Sequence, residues 1–425
     1  MGWSFETDAV FQLELDWIDD FVRREVEPLE HVLDCPWDIH DPRFSKLVRP
    51  LQRQVRERRL WACHLGPELG GPGYGQMKLA LINEILGRAV FGPVVFGCQA
   101  PDSGNGEILA HFGTPTQKKR FLEPLLANEI VSCFAMTEPQ GGADPKVFTA
   151  RATRVHGGWQ IDGQKWFASN ARFASFFIVM LVTDPDAPPH GRTSTLLVPA
   201  DTPGVTILRN SRLADEKVGT HGYLQFDKAF VPDDHLLGQA GEGFLVAQTR
   251  LGGGRIHHAM RTIGLARRAF DMMCERAQSR FTQDEPLARK QMVQEKIADS
   301  WMELEQFRLL VLQTAWRIDK FQDYKKVLKD ISAVKALMPK VLHDIASRAL
   351  QIHGSLGAST EMPFTDMLVH SFHMGLADGP TEVHKVMVAR QVLRGAAAAP
   401  DLFPSGHLPR LQQAAREKFA ALLEE

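Results

Sequence analysis

Residues 376–385 read LADGPTEVHK, two acids set around a Gly-Pro step. A carboxylate beside a rigid bend has two uses. It can cap the helix that follows, a contribution of about 1 kcal/mol. It can also take a proton from a carbon acid. If Gly379 is the N-cap, Pro380 falls at N1 and Glu382 at N3, favoured first-turn positions for both residue types. Val383, Val386, Met387 and Leu393 then form the buried stripe of the helix. On this register the helix has its start signals without Asp378. That carboxylate is left just outside the first turn, flanked by Leu376 and Ala377. Partial desolvation there would raise its pKa and strengthen it as a base. The local pattern leaves cap and base both open.

Two loops carry further chemistry. In FAMTEPQGGADP (134–145) an extended run ends at Thr137-Glu138-Pro139, and Gly141-Gly142 lets the backbone approach a ligand closely. A Thr hydroxyl and freed amides suit a ring rich in carbonyls and nitrogens, or its phosphate tail. The plainer reading is a tight connection between strands. In QKWFASNA (164–171), Trp166 or Phe167 could stack on a flat ligand while Ser169 donates a hydrogen bond. An aromatic packed in a β core explains the same letters.

Other patterns fail their context. LGGPGYG (69–75) does not follow a strand, as a dinucleotide-binding turn must. LGGGR (251–255) leads into a helix and would let Arg255 face an anion, but it lacks the Gly-Lys-Ser/Thr ending of a P-loop. QIHGSLG (351–357) reads as a helix stop. His370 and His373 lie one helical turn apart with His384 further on, yet no H-E-x-x-H occurs, and no metal site is expected. Ser332-x-x-Lys335 matches a hydrolase spacing only by chance, since it falls mid-helix.

The elements that must position these residues change period twice. To about residue 130 the pattern is helical, as in MKLALINEILGRAV (77–90) and TPTQKKRFLEPLLANEI (114–130). From 131 to 240 short runs rich in β-branched and aromatic residues alternate with Gly, Pro, Asp and Asn. They include SFFIVMLVTD, TSTLLVPA and YLQFDKAFVP, and HGG marks a hairpin between two of the others. A compact β-barrel or sandwich is expected there. From 241 to 425 the chain is helical again. Ile256, Ala259, Met260, Ile263, Phe270 and Met273 share one face of a long helix. Val334, Leu337, Met338, Val341 and Ile345 share another, with Pro339 expected to distort it. The domains are therefore expected at 1–130, 131–240 and 241–425.

A formal net charge of −2 gives no electrostatic case for nucleic acid or an anionic membrane. Five scattered cysteines show neither metal nor disulfide spacing, which fits a reducing, cytoplasmic location. The start, MGWSFETDAVFQLELDW, lacks the basic and apolar regions of a secretory signal, and Gly2 lacks the myristoylation pattern. ALLEE at the end carries no receptor-read address. The longest apolar run, ASFFIVMLV (174–182), is too short for a membrane span.

MTEPQGGADP, DGQKWFASN, LGQAGEGF, RIHHAMRTIGLARRAF, ALQIHGSLG and ADGPTEVH, in this order, resemble the acyl-CoA dehydrogenase family over nearly the whole chain. The likeness is closest to the subgroup of family members ten and eleven. The resemblance implies an α+β fold: an N-terminal helical domain, a central β-barrel domain and a C-terminal four-helix bundle. It implies FAD, an acyl-CoA substrate, a homodimer or homotetramer, and an electron-transferring flavoprotein as acceptor.

By position, Phe134, Met136 and Thr137 would line the flavin, and Gly142 and Ala143 would continue that loop, Ala143 facing flavin or substrate. Phe167, Ala168 and Ser169 would sit by the reactive edge. Arg280 would reach a neighbouring subunit's FAD, with Gln351, Gly354 and Ser355 holding the phosphates across the same interface. Pro380 and Glu382 would touch the flavin after the base, while Arg255 and Gly379 would lie on the substrate side.

Asp378 falls where most of the family has a catalytic Glu, and the alternative base position is Gly254. The implied reaction is α,β-dehydrogenation to the 2-enoyl-CoA. Asp378 takes the α proton and the β hydrogen leaves as hydride to the flavin. The residue 378 N–H and a ribityl hydroxyl stabilise the thioester oxygen. The sequence departs from the family where Phe167 replaces a common Trp, Pro380 a common Thr, and Val369-His370-Ser371 the usual Arg-Asp-Ala. Two other outcomes fit the same fold: a nitroalkane-oxidase-like flavoenzyme, and a non-catalytic assembly protein.

Overall fold

The computed structural model describes residues 6–423. Gly2 and the last two residues of ALLEE lie outside them.

The N-terminal helices form where caps and spacing agree. Asp8 caps Ala9–Phe21 by accepting from the Phe11 N–H, and Phe11, Leu15 and Ile18 face inward at helical spacing. Asp41 does the same for Pro42–Glu57. Thr114 and Gln117 form a reciprocal capping box, each side chain accepting from the other's backbone N–H. Gly75–Leu86 and Asp102–Phe112 complete the longer helices of this part.

The central sheet has eight strands: β1 (Ser132–Ala135), β2 (Arg151–Val155), β3 (Gly158–Ala168), β4 (Phe176–Val182), β5 (Thr193–Pro199), β6 (Val205–Ser211), β7 (His221–Pro232) and β8 (Leu236–Leu237). Hydrogen bonding links them in the order β6-β7-β3-β2-β4-β5-β8, with β1 beside β4. All seven residues of β4 are buried, which explains its unbroken apolar run. The HGG hairpin forms between β2 and β3, where Val155 pairs with Gly158 and Gly157 takes φ 76°.

Five helices follow as far as Leu393, namely Gly243–Ser279, Gln291–Phe321, Leu328–His353, Phe364–Leu376 and Thr381–Leu393, and the short exposed helices Leu408–Lys418 and Ala420–Leu423 come after them. Ile256, Ala259, Met260, Ile263 and Met273 join the N-terminal helices in one continuous core. Leu328–His353 runs unbroken through Pro339, and of its expected stripe only Leu337 is exposed.

Two helix starts differ from expectation. LGGGR does not lead into a helix; it lies inside Gly243–Ser279. The last of the five helices is capped at Pro380 rather than Gly379, so Glu382 falls at N2. Gly379 has φ 105° and belongs to the preceding turn, whereas Pro380 is extended. The expected stripe fails with it. Val383, Val386 and Leu393 are exposed, and His384 alone is buried among the residues of that helix. The helix is oriented by its polar His384 face, which turns toward the bend at 378.

Candidate active site

Asp378 ends the turn after Phe364–Leu376 with φ 55°, a left-handed conformation that Asp tolerates better than most residues. It is no cap, because the following helix receives no side-chain cap hydrogen bond. Its side chain, 18% exposed, faces the Gly243–Ser279 helix instead. Oδ1 lies 3.9 Å from Arg250 Nη1 and Oδ2 lies 3.5 Å from His258 Nε2. Between them stands Gly254, where an added Cβ would come within 3.2 Å of Oδ2. Arg250, Gly254 and His258 are four apart, so one face of the helix presents cation, gap and imidazole to the carboxylate.

The backbone of residue 378 is fixed as firmly. Its carbonyl accepts from Arg255 Nε at 3.0 Å and from His384 Nε2 at 3.3 Å. Lys335 Nζ donates to the Met374 carbonyl, tying down the helix that leads into the bend. Among the described residues, the Asp378 N–H has no hydrogen-bond partner.

The three glycines 252–254 weaken a helix by about 1 kcal/mol each relative to Ala. Gly253 and Gly254 fit tight spaces, whereas a Cβ at Gly252 would meet only ordinary contact. Added Cβ atoms would meet the Tyr324 ring at 3.4 Å, Glu107 Oε2 at 3.0 Å and Asp378 Oδ2 at 3.2 Å respectively. Burial pushes the Glu107 carboxyl up to about 7.

Burial would also raise Asp378, as the sequence suggested, but the net direction is the reverse. His258, Arg250, Arg255 and Lys335 together hold its carboxyl below the ordinary 3.8. Burial drives His258 itself down to about 4, so near neutral pH the charge comes from the arginines and Lys335. Lys335 is lowered only to about 8 and keeps most of its proton.

Phe134, Met136 and Thr137 gather with Phe167, Ala168 and Ser169 at the ends of β1 and β3. Arg250 links them to Asp378, its guanidinium lying 4.4 Å over the Phe134 ring while Nε donates to Asn105. Lys165 Nζ donates to the Met136 carbonyl at 2.9 Å and to Glu138 Oε1 at 2.7 Å, with both side chains essentially inaccessible. Glu138 also accepts from the Thr149 and Ala150 N–H groups. Burial pushes Glu138 up, but the Lys165 charge and these bonds hold it below 4.5; burial lowers Lys165 to about 8. Both are charged at neutral pH, and this pair fixes the Thr137 loop to β3.

The Thr137 carbonyl accepts from the Trp166 N–H at 2.9 Å, which sets Phe167 beside it. The β3–β7 register slips between Lys165 and Ala168. That irregularity turns Phe167 to φ 51° and leaves it 49% exposed, stacked on Trp166. Ala168 is buried and Ser169 Oγ lies 3.0 Å from His221 Nδ1. Gly142 and Ala143 are exposed, as is Glu382; Pro380 is partly covered.

Arg280, Gln351, Gly354 and Ser355 are not part of this gathering. They are exposed at the far ends of Gly243–Ser279 and Leu328–His353. Helical rise puts Arg280 roughly 39 Å along its helix from Gly254. The site also holds Arg250, His258 and Glu107, which the sequence reading did not single out, and Lys335, which it met only in a Ser-x-x-Lys spacing set aside as chance. The four-residue spacing of Arg250, Gly254 and His258 was a signal for two of them. Glu107 had none, and nothing in the Ser332-x-x-Lys335 spacing pointed to Asp378.

Three profiles cover most of the chain: "Acyl-CoA dehydrogenase, N-terminal domain" over residues 12–129, "middle domain" over 133–229 and "C-terminal domain" over 241–393. The chain belongs to the acyl-CoA dehydrogenase family. A Mycobacterium tuberculosis relative, named probable acyl-CoA dehydrogenase FadE2, is 37% identical over 92% of this chain and 93% of its own length. Human acyl-CoA dehydrogenase family member 11 is 36% identical over 89% of this chain but 49% of its own. The chain thus spans about half or less of the curated member 10 and 11 relatives it matches. A solved Mycobacterium abscessus structure aligns over 92% of this chain and 100% of its own, with TM-score 0.84 and 36% identity. Butyryl-CoA dehydrogenase from Megasphaera elsdenii aligns over the same shares, with TM-score 0.80 and 25% identity.

The family's members bind FAD, and the residues of this chain fit that group. The exposed Phe167 face, the accessible loop at Gly142 and Ala143, and the Thr137 and Ser169 hydroxyls supply a flat platform with polar edges. No helix among the described residues is long and apolar enough to cross a membrane.

Proposed function

We propose that this chain catalyses α,β-dehydrogenation of an acyl-CoA thioester to the 2-enoyl-CoA, with Asp378 as the base. The observation that carries the reading is the pairing of a cation-held carboxylate with a free N–H on the same residue. Asp378 takes the proton from the α carbon of the acyl chain. Charge that develops on the thioester oxygen meets the Asp378 N–H, already fixed by the Arg255 and His384 bonds to the adjoining carbonyl. FAD, when bound, supplies the two-electron acceptor for the β hydrogen. Phe134, Met136, Thr137, Phe167, Ala168 and Ser169 would hold its ring, and Gly142 and Ala143 the loop beside it. An electron-transferring flavoprotein is the proposed reoxidant.

The exposed Arg280, Gln351, Gly354 and Ser355 lie too far away to serve the same ligand as Asp378. Their position supports a homo-oligomer in which one chain's far helix ends complete another's cofactor site. Arg280→Ala is then expected to lower FAD retained through gel filtration several-fold, without changing the circular dichroism. Full retention would remove Arg280 from the cofactor site.

The pH profile follows from the sign of the Asp378 shift. The base works as the carboxylate, and its pKa lies below 3.8 in the free enzyme. The acid limb of kcat/KM should therefore not begin until the pH approaches that range. A limb centred near neutrality would mean that Asp378 is not the titrating base.

The deciding test is anaerobic mixing of the FAD-loaded protein with straight, branched, aromatic and 4-hydroxy acyl-CoAs, and with nitroalkanes, while flavin colour is followed. Bleaching by an acyl-CoA alone supports the proposal. Bleaching by nitroalkanes alone favours the oxidase reading, and no bleaching by any of them favours the non-catalytic one.

A further inference from the structure

A second polar cluster lies beside the flavin-side edge, between the central sheet and Phe364–Leu376. Asp215, from the loop between β6 and β7, meets His370 and His373 of that helix. One potential ligand atom from each lies within 4.8 Å of the other two. Among the described residues this is the one such group of His, Cys, Asp or Glu.

Three features go beyond proximity. The Asp215 side chain is 9% exposed, and its Oδ1 is buried with no hydrogen-bond partner. A buried carboxylate oxygen without a partner calls for an explanation, and a bound ion is one that accounts for it. His370 Nδ1 already lies 2.9 Å from Asp215 Oδ2. Ligand atoms around a tetrahedral zinc, each bound at about 2.0–2.2 Å, sit roughly 3.3 Å apart. That pair is therefore near coordinating separation, with the His373 ligand atom within 4.8 Å of both. Finally, the ring nitrogens of His373 make no hydrogen bond with any described residue. Its ring packs edge-on against His370 at 5.7 Å and His221 at 5.8 Å. His221 is itself fixed by Glu216 at 2.8 Å and Ser169 at 3.0 Å, the kind of support that orients a neighbouring ligand.

We infer that Asp215, His370 and His373 form a binding site for one divalent transition-metal ion of the zinc class, with a fourth position open to water. Two imidazoles and a carboxylate are a borderline donor set that suits zinc better than magnesium or calcium. The ion would clamp the loop of residues 212–220 to the Phe364–Leu376 helix, which ends two residues before Asp378. The inference does not depend on the dehydrogenase reading, and either can fail alone.

The test uses the FAD-loaded full chain, stripped with a chelator and titrated with zinc chloride by calorimetry, with metal content then measured after gel filtration. The expected result is one zinc per chain. Asp215→Asn and His373→Gln should each weaken binding at least tenfold, while His111→Gln, at an exposed histidine in Asp102–Phe112, should leave it unchanged. Absence of stoichiometric zinc on the wild type would overturn the site. So would binding that survives both substitutions. Cobalt on the unaltered protein gives a readout that no folding defect can mimic. Intense visible absorption of a four-coordinate ion is expected, and a weak octahedral spectrum would sink the proposal.

Discussion

Asp378→Asn is expected to slow flavin reduction by acyl-CoA about 10²–10⁴-fold, the usual contribution of a positioned general base. The substitution keeps the size of the side chain and removes only its basicity. The bend survives, because Asn tolerates the left-handed φ of 55° and the Arg255 and His384 bonds go to the backbone carbonyl. FAD content and circular dichroism should therefore match the wild type while the bleaching rate collapses. A wild-type rate would mean that another group takes the proton. Glu107 would then be the next carboxyl to test, since it faces Gly253 one residue away from the gap at Gly254. Asp378→Glu separates reach from chemistry. It adds a methylene toward Arg250 and the Gly254 gap, and a misplacement of about 1 Å can itself lower the rate about a hundredfold.

Lys165→Met is expected to destabilise the protein by about 3–5 kcal/mol, the typical result of removing one member of a buried ion pair. Glu138 would remain buried beside the Thr149 and Ala150 N–H groups with its counter-ion gone. Its folded pKa now lies below 4.5, so it stabilises the fold at neutral pH and that contribution fades as pH falls through the lowered value. Without Lys165 the pKa should rise and the stability loss should shrink under acid. Thermal unfolding of the holoenzyme at several pH values checks this, with FAD loss as a second readout, because the pair fixes the Thr137 loop. The double variant Lys165→Met, Glu138→Gln should be less damaged than the sum of the single variants. Equal, additive losses would show that the two side chains do not act as a unit.

Both predictions concern residues that the sequence reveals unequally. Asp378 stands out because it precedes a Gly-Pro step, where cap and base are both open, and because the family resemblance puts a catalytic acid at that position. Its partners do not. Arg250, Lys335 and His258 lie 43 to 128 positions away along the chain. They meet Asp378 only because Gly243–Ser279 and Leu328–His353 pack beside the bend. The direction of its pKa could not be read locally for the same reason. Neighbouring Leu376 and Ala377 suggested desolvation, while the cations that reverse the shift come from other helices. Glu138 looked like part of a ligand loop, and the fold shows it to be the anchor of that loop.

The order of helices, strands and long helices was legible from the sequence alone, because side-chain period and turn residues are local properties. So were the hairpin at Gly157, the helical stretch that opens at Thr114 and the family resemblance. Tertiary structure decided the rest. It moved the N-cap of Thr381–Leu393 to Pro380, exposed a stripe that spacing marked as buried, and placed three glycines inside a helix rather than before it. It also parted Arg280 and Gln351 from the base and joined Asp215 to His370 and His373. Spacing along one element says which side chains share a face. What that face meets, and hence its charge and burial, depends on groups brought together across long stretches of chain.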